Sequence, residues 1–209
     1  MISLPCFYPI LDTSFFSGSE VLLEAAERLI TAGVGILQYR NKSSDAARML
    51  IEARELRQHV LSLHGGESVR LIMNDRADLC LAADFDGVHV GQDDLSSESA
   101  RKIVGPDRWL GISTHNPEQV RVADKTSADY IAIGPVFGTA SKSNPDPVLG
   151  LDGVREARKL TRKRLVAIGG ITRANCQSVI DAGADSVAVI SDLLPDPGKS
   201  AEEFLRILG

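Results

Sequence analysis

Basic residues are not in excess in this chain. Its 209 residues hold 23 Lys and Arg against 28 Asp and Glu, a formal net charge of -5. That balance excludes a general nucleic-acid-binding surface. It leaves anionic ligands open, because local clusters set the field at a cleft. Cysteine is scarce and odd in number: Cys6, Cys80 and Cys176 stand far apart, with no Cys-x-x-Cys. A disulfide framework is thereby excluded, and the thiols are expected to pack as small apolar residues in a reducing cytoplasm. No basic flank leads into a long apolar run, so neither a signal peptide nor a membrane span is expected. The first turn after a strand is not Gly-x-Gly-x-x-Gly, which leaves a dinucleotide-binding sheet little support. No shift in composition marks a linker. Residues 1–209 are therefore expected to form one domain, a length sufficient to bury a core.

What is present is a regular alternation of strand and helix. Buried-strand patterns run over Cys6–Leu11, Gly35–Arg40, Val69–Met73, Val88–Val90, Trp109–Ser113, Tyr130–Gly134, Arg164–Ile168 and Ser186–Ile190. Helical periods follow each of them, over Ser19–Ala32, from a cap at Ser43 or Ser44 to Leu63, Ala77–Ala83, Leu95–Val104, from Pro117, Leu151–Leu160, Thr172–Ala182 and Lys199–Leu208. Strands that alternate with helices imply a parallel sheet. Eight such units predict the α/β class and a (β/α)8 TIM barrel, near the small end of that fold's size range. An open doubly wound sheet is the alternative.

In a barrel, the residues just past each strand converge on one face. Asp75 and Asp94 each follow a strand end, one strand–helix–strand unit apart. Two carboxylates about 4 Å apart repel by roughly 4 kcal/mol at an effective dielectric near 20. A site holding both favours a hard cation such as Mg²⁺, with water and substrate phosphate as its other ligands. Solvated loop aspartates, or Asp75 as a helix-starting residue, would leave the same pattern.

Gln38, Arg40 and Lys42 alternate along the end of the second strand and so share a side, while Tyr39 and Asn41 face away. A planar guanidinium and an ammonium together suit a diphosphate. Ser113 closes the fifth strand. His115 follows it as a helix-cap neighbour, expected to be exposed, and His89 points either into or out of the barrel. The segment from Pro135 to Gly150 lacks any helical period. Its Thr139, Ser141 and Lys142 suit closure over a phosphorylated substrate. Ile168-Gly-Gly-Ile171 and Ile190-Ser191 end the last two strands, where such barrels usually bind phosphate. Two anion sites, one with a metal, point to group transfer from a diphosphate ester to a phosphorylated nucleophile.

Taken together, Gln38-Tyr-Arg-Asn-Lys42, Asn74-Asp75, Gly87 to Asp94, Gly111-Ile-Ser113, Pro135 to Lys142, Ile168 to Ile171 and Ile190-Ser191 resemble the thiamine-phosphate synthase family over nearly the whole chain. The resemblance implies a (β/α)8 transferase of thiamine biosynthesis. Such an enzyme joins a hydroxymethylpyrimidine diphosphate to a thiazole phosphate by a dissociative route and releases diphosphate. It implies that Gln38, Arg40, Lys42, Asn74, Ser113 and Lys142 hold the pyrimidine diphosphate. Of these, Arg40, Lys42, Ser113 and Lys142 would act on the leaving group. Asp75 and Asp94 would bind Mg²⁺. Thr139, Ser141, Gly170, Ile190 and Ser191 would hold the thiazole phosphate. Tyr39, Asn41 and Ala140 fall within the same motifs and enter the substrate-binding set with them. Tyr39 replaces a more typical leucine, and Ser141 a commoner threonine. A thiazole tautomerase on the same barrel would need only the thiazole phosphate pocket and an acid/base residue such as His115. A non-catalytic phosphate-ligand sensor would need no metal pair. No nucleic acid or membrane partner is expected.

Overall fold

The computed structural model describes residues 2–42, 45–139 and 146–209. Eight parallel strands close into a barrel in sequence order: β1 (Phe7–Asp12), β2 (Ile36–Arg40), β3 (Arg70–Asn74), β4 (Gly87–Val90), β5 (Trp109–Thr114), β6 (Tyr130–Ile133), β7 (Arg164–Ile168) and β8 (Ser186–Val189). Among the described residues, eight α-helices wrap it: α1 (Ser19–Thr31), α2 (Ala46–Ser62), α3 (Ala77–Ala82), α4 (Ser97–Val104), α5 (Pro117–Asp124), α6 (Gly150–Leu160), α7 (Cys176–Asp181) and α8 (Pro197–Leu208). Among the described residues, no helix is long and apolar enough to cross a membrane.

The period-two alternation of the strands builds two cores. Tyr8, Ile10, Ile36, Ile72, Tyr130, Ala132, Val166 and Ala188 point inward and fill the barrel. Their neighbours Phe7, Leu11, Leu37, Tyr39, Leu71, Met73, Val88 and Ile131 point outward under the helices. Gly111 pairs with Tyr130 in the β5–β6 register. A Cβ at Gly111 would lie 2.1 Å from the Tyr130 ring, so only glycine lets that ring cross the interior.

Side-chain caps set the starts of α2, α4, α5 and α8, while α1, α3, α6 and α7 begin without one, and several expected boundaries are corrected. The cap of α2 is Asp45, whose carboxylate accepts from Arg48 N at 3.0 Å. Ser43 and Ser44, the expected caps, lie outside the described residues. Helix α7 starts at Cys176 rather than Thr172, because Thr172–Asn175 forms a turn closed by Thr172 N on Asn175 Oδ1 at 2.7 Å. Ser96, Asn116 and Asp196 cap α4, α5 and α8 as hydrogen-bond acceptors.

The floor of the barrel carries a device that periodicity does not reveal. Asp86, Asp129 and Asp185 each precede an even-numbered strand. Each accepts the backbone N–H of the preceding odd strand, from Leu71, Leu110 and Leu165, at 2.8–2.9 Å. Each also binds an arginine: Arg57 and Arg70, Arg101, and Arg158 and Arg164 respectively. Removing one strands a backbone donor and a guanidinium. Asp129→Ala should therefore cost about 1–3 kcal/mol in denaturant unfolding and leave turnover unchanged, since the floor lies away from the catalytic rim.

Candidate active site

The C-terminal strand ends open on one cleft of about 1170 Å³. Gln38, Arg40, Asn41, Lys42, Asn74, Asp75, Asp94, Ser113, Thr139, Gly170, Ile190 and Ser191 all line it. Ala140, Ser141 and Lys142 lie outside the described residues. Tyr39 is the exception among the described candidates. It is fully buried on the outer face, donates to Glu52 Oε2 at 2.8 Å and packs edge-on to Phe85. Its place in the substrate-binding set is corrected, and the reason is the strand period that turns it outward. Asn41 sits at the edge of the cleft, but its amide nitrogen donates at 3.0 Å to Tyr39 Oη and to Glu52.

The cations already have anionic neighbours. Arg40 pairs with Asp12, a carboxylate only 3% exposed at the end of β1. Asp12 also accepts from Ser14 N and Ser14 Oγ at 3.0 and 2.7 Å. Sequence reasoning missed Asp12, although it ends its strand just as Asp75 and Asp94 follow theirs. Lys42 Nζ lies 2.5 Å from Asp75 Oδ2. The end of β2 and the residues just past it thus bring Arg40 and Lys42 to the rim, each held by one aspartate.

Asp75 and Asp94 do meet. Burial, and then the adjoining Asp75 carboxyl, hold the Asp94 carboxyl above its ordinary range. Asp94 Oδ2 accepts from Gly91 N at 2.8 Å, and Asp75 N donates to His89 O at 2.7 Å. The Asp75 backbone sits at φ 62°, a left-handed conformation unusual for a residue with a side chain. Two facing carboxylates with only oxygen donors fit a hard divalent cation. Among the described residues, no cluster of three or more His, Cys, Asp or Glu side chains forms a closed cage. Asp75 and Asp94 would supply the carboxylate oxygens for such an ion.

Asn74 is 8% exposed, and its Nδ2 has no hydrogen-bond partner. A buried amide nitrogen without an acceptor costs about 1–3 kcal/mol, so one facing a cleft is matched to a ligand that supplies the acceptor. Asn74→Ala should raise the KM for the ligand that fills this corner by about tenfold. It should not lower the melting temperature, since no protein hydrogen bond is lost at that nitrogen. Steady-state kinetics and a thermal melt check the pair of outcomes.

Both cleft histidines are fixed. His89 points inward, with Nδ1 3.1 Å from Tyr130 Oη and Nε2 2.8 Å from Ser113 Oγ. His115 is not the exposed residue expected. Its side chain is 15% exposed, its Nδ1 donates to Gly134 O at 2.7 Å, and Asp146 lies 3.5 Å away. The glycine pair after β7 adopts left-handed backbone at Gly169 (φ 102°) and Gly170 (φ 61°). It packs on the segment after β6, where Phe137 N donates to Gly169 O at 2.9 Å. A Cβ on Gly170 would lie 2.4 Å from Gly138 O. That close fit, as much as phosphate access, calls for glycine. Ser191 opens a short 3-10 turn at the rim.

Known proteins resemble this chain in sequence and fold. A family model described as thiamine monophosphate synthase matches residues 7–193. A thiamine-phosphate synthase of Koribacter versatilis is 57% identical over 210 residues, covering 99% of this chain and 97% of its own. One from Methanosarcina mazei is 37% identical, covering 97% of this chain and 82% of its own. A solved structure of thiamine phosphate pyrophosphorylase from Pyrococcus furiosus superposes with a TM-score of 0.84 at 31% identity, covering 97% of this chain and 94% of the other. With the family match, the identity to these relatives and the shared barrel, the chain belongs to the thiamine-phosphate synthase family of transferases.

Proposed function

We propose that the cleft joins 4-amino-2-methyl-5-(diphosphooxymethyl)pyrimidine to 4-methyl-5-(2-phosphooxyethyl)thiazole, giving thiamine phosphate and diphosphate in a Mg²⁺-dependent dissociative substitution. The observation that carries this reading is one cleft in which a carboxylate pair stands beside two cations and an orphaned amide. The volume supports two ligands, since about 1170 Å³ exceeds the roughly 300–1,000 Å³ usual for one.

Gln38 and Asn74 orient the pyrimidine end. Arg40 and Lys42 receive the diphosphate, Arg40 through a planar fork and Lys42 as a point charge. Asp75 and Asp94 would hold Mg²⁺, which when bound neutralises charge on the departing diphosphate. Ser113 donates to a diphosphate oxygen. Gly170, Ile190 and Ser191 offer backbone and hydroxyl donors to the thiazole phosphate at the opposite rim, with Thr139 beside them. No general base is required, because the thiazole nitrogen captures the pyrimidine-methyl cation with its own lone pair. The hydrogen bonds fit that economy: both His89 nitrogens and His115 Nδ1 are already engaged.

Diphosphate release on mixing both substrates with Mg²⁺ tests the proposal. Release in step with thiamine phosphate supports it. Rearrangement of the thiazole phosphate without diphosphate release would favour the tautomerase instead, and binding without turnover would favour a sensor. The Arg40, Lys42, Asp75 and Asp94 constellation speaks against both, since neither role needs it.

A further inference from the structure

Gln38 on β2 and Ser113 on β5 are separated by two strands, yet one line of side chains joins them under the cleft. Gln38 Nε2 donates to Tyr8 Oη at 2.9 Å. Tyr8 Oη lies 3.0 Å from Tyr130 Oη, and that oxygen lies 3.1 Å from His89 Nδ1. His89 Nε2 lies 2.8 Å from Ser113 Oγ. The His89 and Tyr130 rings stack with centroids 5.5 Å apart. Tyr8 and Tyr130 are almost wholly buried, and burial holds both phenols neutral by raising their pKa.

Each phenol has one hydrogen to give, and a neutral imidazole has one. With His89 neutral and every hydrogen of the line used within it, the first bond sets the direction of all the others. With the Gln38 nitrogen donating, Tyr8 gives its hydrogen to Tyr130, and Tyr130 gives its own to His89 Nδ1. His89 then carries its hydrogen on Nε2 and donates it to Ser113 Oγ. The hydroxyl hydrogen of Ser113 is left to point into the cleft. Turning the Gln38 amide over reverses every bond, and Ser113 then gives its hydrogen to His89.

We infer that this line is a polarised relay that couples recognition of the pyrimidine to the donor state of Ser113. The inference rests on the proposed substrate. An amino group donating to Gln38 Oε1 holds the amide with its nitrogen toward Tyr8, and so sets Ser113 as a donor to the diphosphate. A ring carbonyl at the same place would turn the amide over and present the diphosphate with a serine lone pair. Tyr8, Tyr130 and His89 are positioning residues in this scheme: they act through Ser113 and Gln38. Selection for the amino group then falls on kcat more than on KM.

The test is a double-mutant cycle on kcat for diphosphate release, with both substrates saturating. Gln38→Leu and Ser113→Ala are measured singly and together, in the parent chain and in Tyr130→Phe, which keeps the ring and removes the hydroxyl. In the parent chain the two effects should combine to less than their product. In Tyr130→Phe they should multiply. Tyr130→Phe alone should lower kcat by about tenfold, the scale of one lost hydrogen bond, with the KM for thiazole phosphate unchanged. If circular dichroism finds Tyr130→Phe unfolded, the same cycle is read in Tyr8→Phe, which breaks the line one bond earlier. Effects that multiply in the parent chain as well, or an unchanged kcat in a folded Phe variant, overturn the relay. A parent chain that releases no diphosphate overturns the substrate assignment instead, so the two failures are distinguishable.

Discussion

Asp94→Asn is expected to slow diphosphate release by on the order of 10²–10³, the usual loss when one well-placed electrostatic group is removed. The same variant should melt at a higher temperature than the parent chain at neutral pH without Mg²⁺. Both outcomes come from one cause. Burial and the Asp75 carboxyl raise the Asp94 pKa above the ordinary carboxylate range, so ionising Asp94 costs the folded state free energy. That cost is absent below the ordinary carboxylate value and fully present above the raised one. An amide at this position removes the like charge and keeps an oxygen for Gly91 N. Added Mg²⁺ should stabilise the parent chain and leave Asp94→Asn unmoved. A thermal-shift titration across pH reads this without any turnover. The Mg²⁺ response of the parent should fade as pH falls through the raised pKa. A variant that keeps turnover within about threefold, against the expected 10²-fold or more, would remove Asp94 from the metal site.

Arg40→Met should fail in two separable ways. Asp12 is 3% exposed, and its partner guanidinium would be gone. Breaking a buried pair from one side costs about 3–5 kcal/mol. The low end applies here, because Ser14 still donates twice to Asp12. Turnover should also fall by on the order of 10²-fold, since a fixed cation facing the leaving group is lost. Combining Arg40→Met with Asp12→Asn should recover most of the stability, because the stranded charge is removed. It should recover none of the turnover. Urea melts and single-turnover kinetics separate the two losses. Recovery of both together would mean that Arg40 serves only to neutralise Asp12.

The architecture was legible because it is written locally. Alternation of inward and outward residues marks each strand, and the residues at and just past the strand ends gather at one rim. Gln38, Arg40, Lys42, Asn74, Asp75, Asp94 and Ser113 follow from that rule and do line one cleft. The helix starts were less legible where several cap residues compete. Ser43, Ser44 and Asp45 stand side by side, and the structure selects the carboxylate. Pairings across the barrel were not legible at all. Tyr8 and Tyr130 touch across 122 positions of sequence, and their meeting depends on closure of the barrel and on the gap at Gly111. Asp12 was overlooked for a related reason: its partner is chosen by the β1–β2 register, which aligns Asp12 with Arg40.

The backbone at Asp75 leads somewhere else. A left-handed residue bearing a side chain is held against its own preference, and glycine would relieve it. Enrichment of random variants by heat endurance alone, blind to chemistry, should carry this position toward glycine and yield hardy, idle barrels. On the metal role proposed for Asp75, lineages that depend on turnover forgo that gain. Position 75 is therefore a place where the needs of folding and of livelihood pull a single codon in opposite directions.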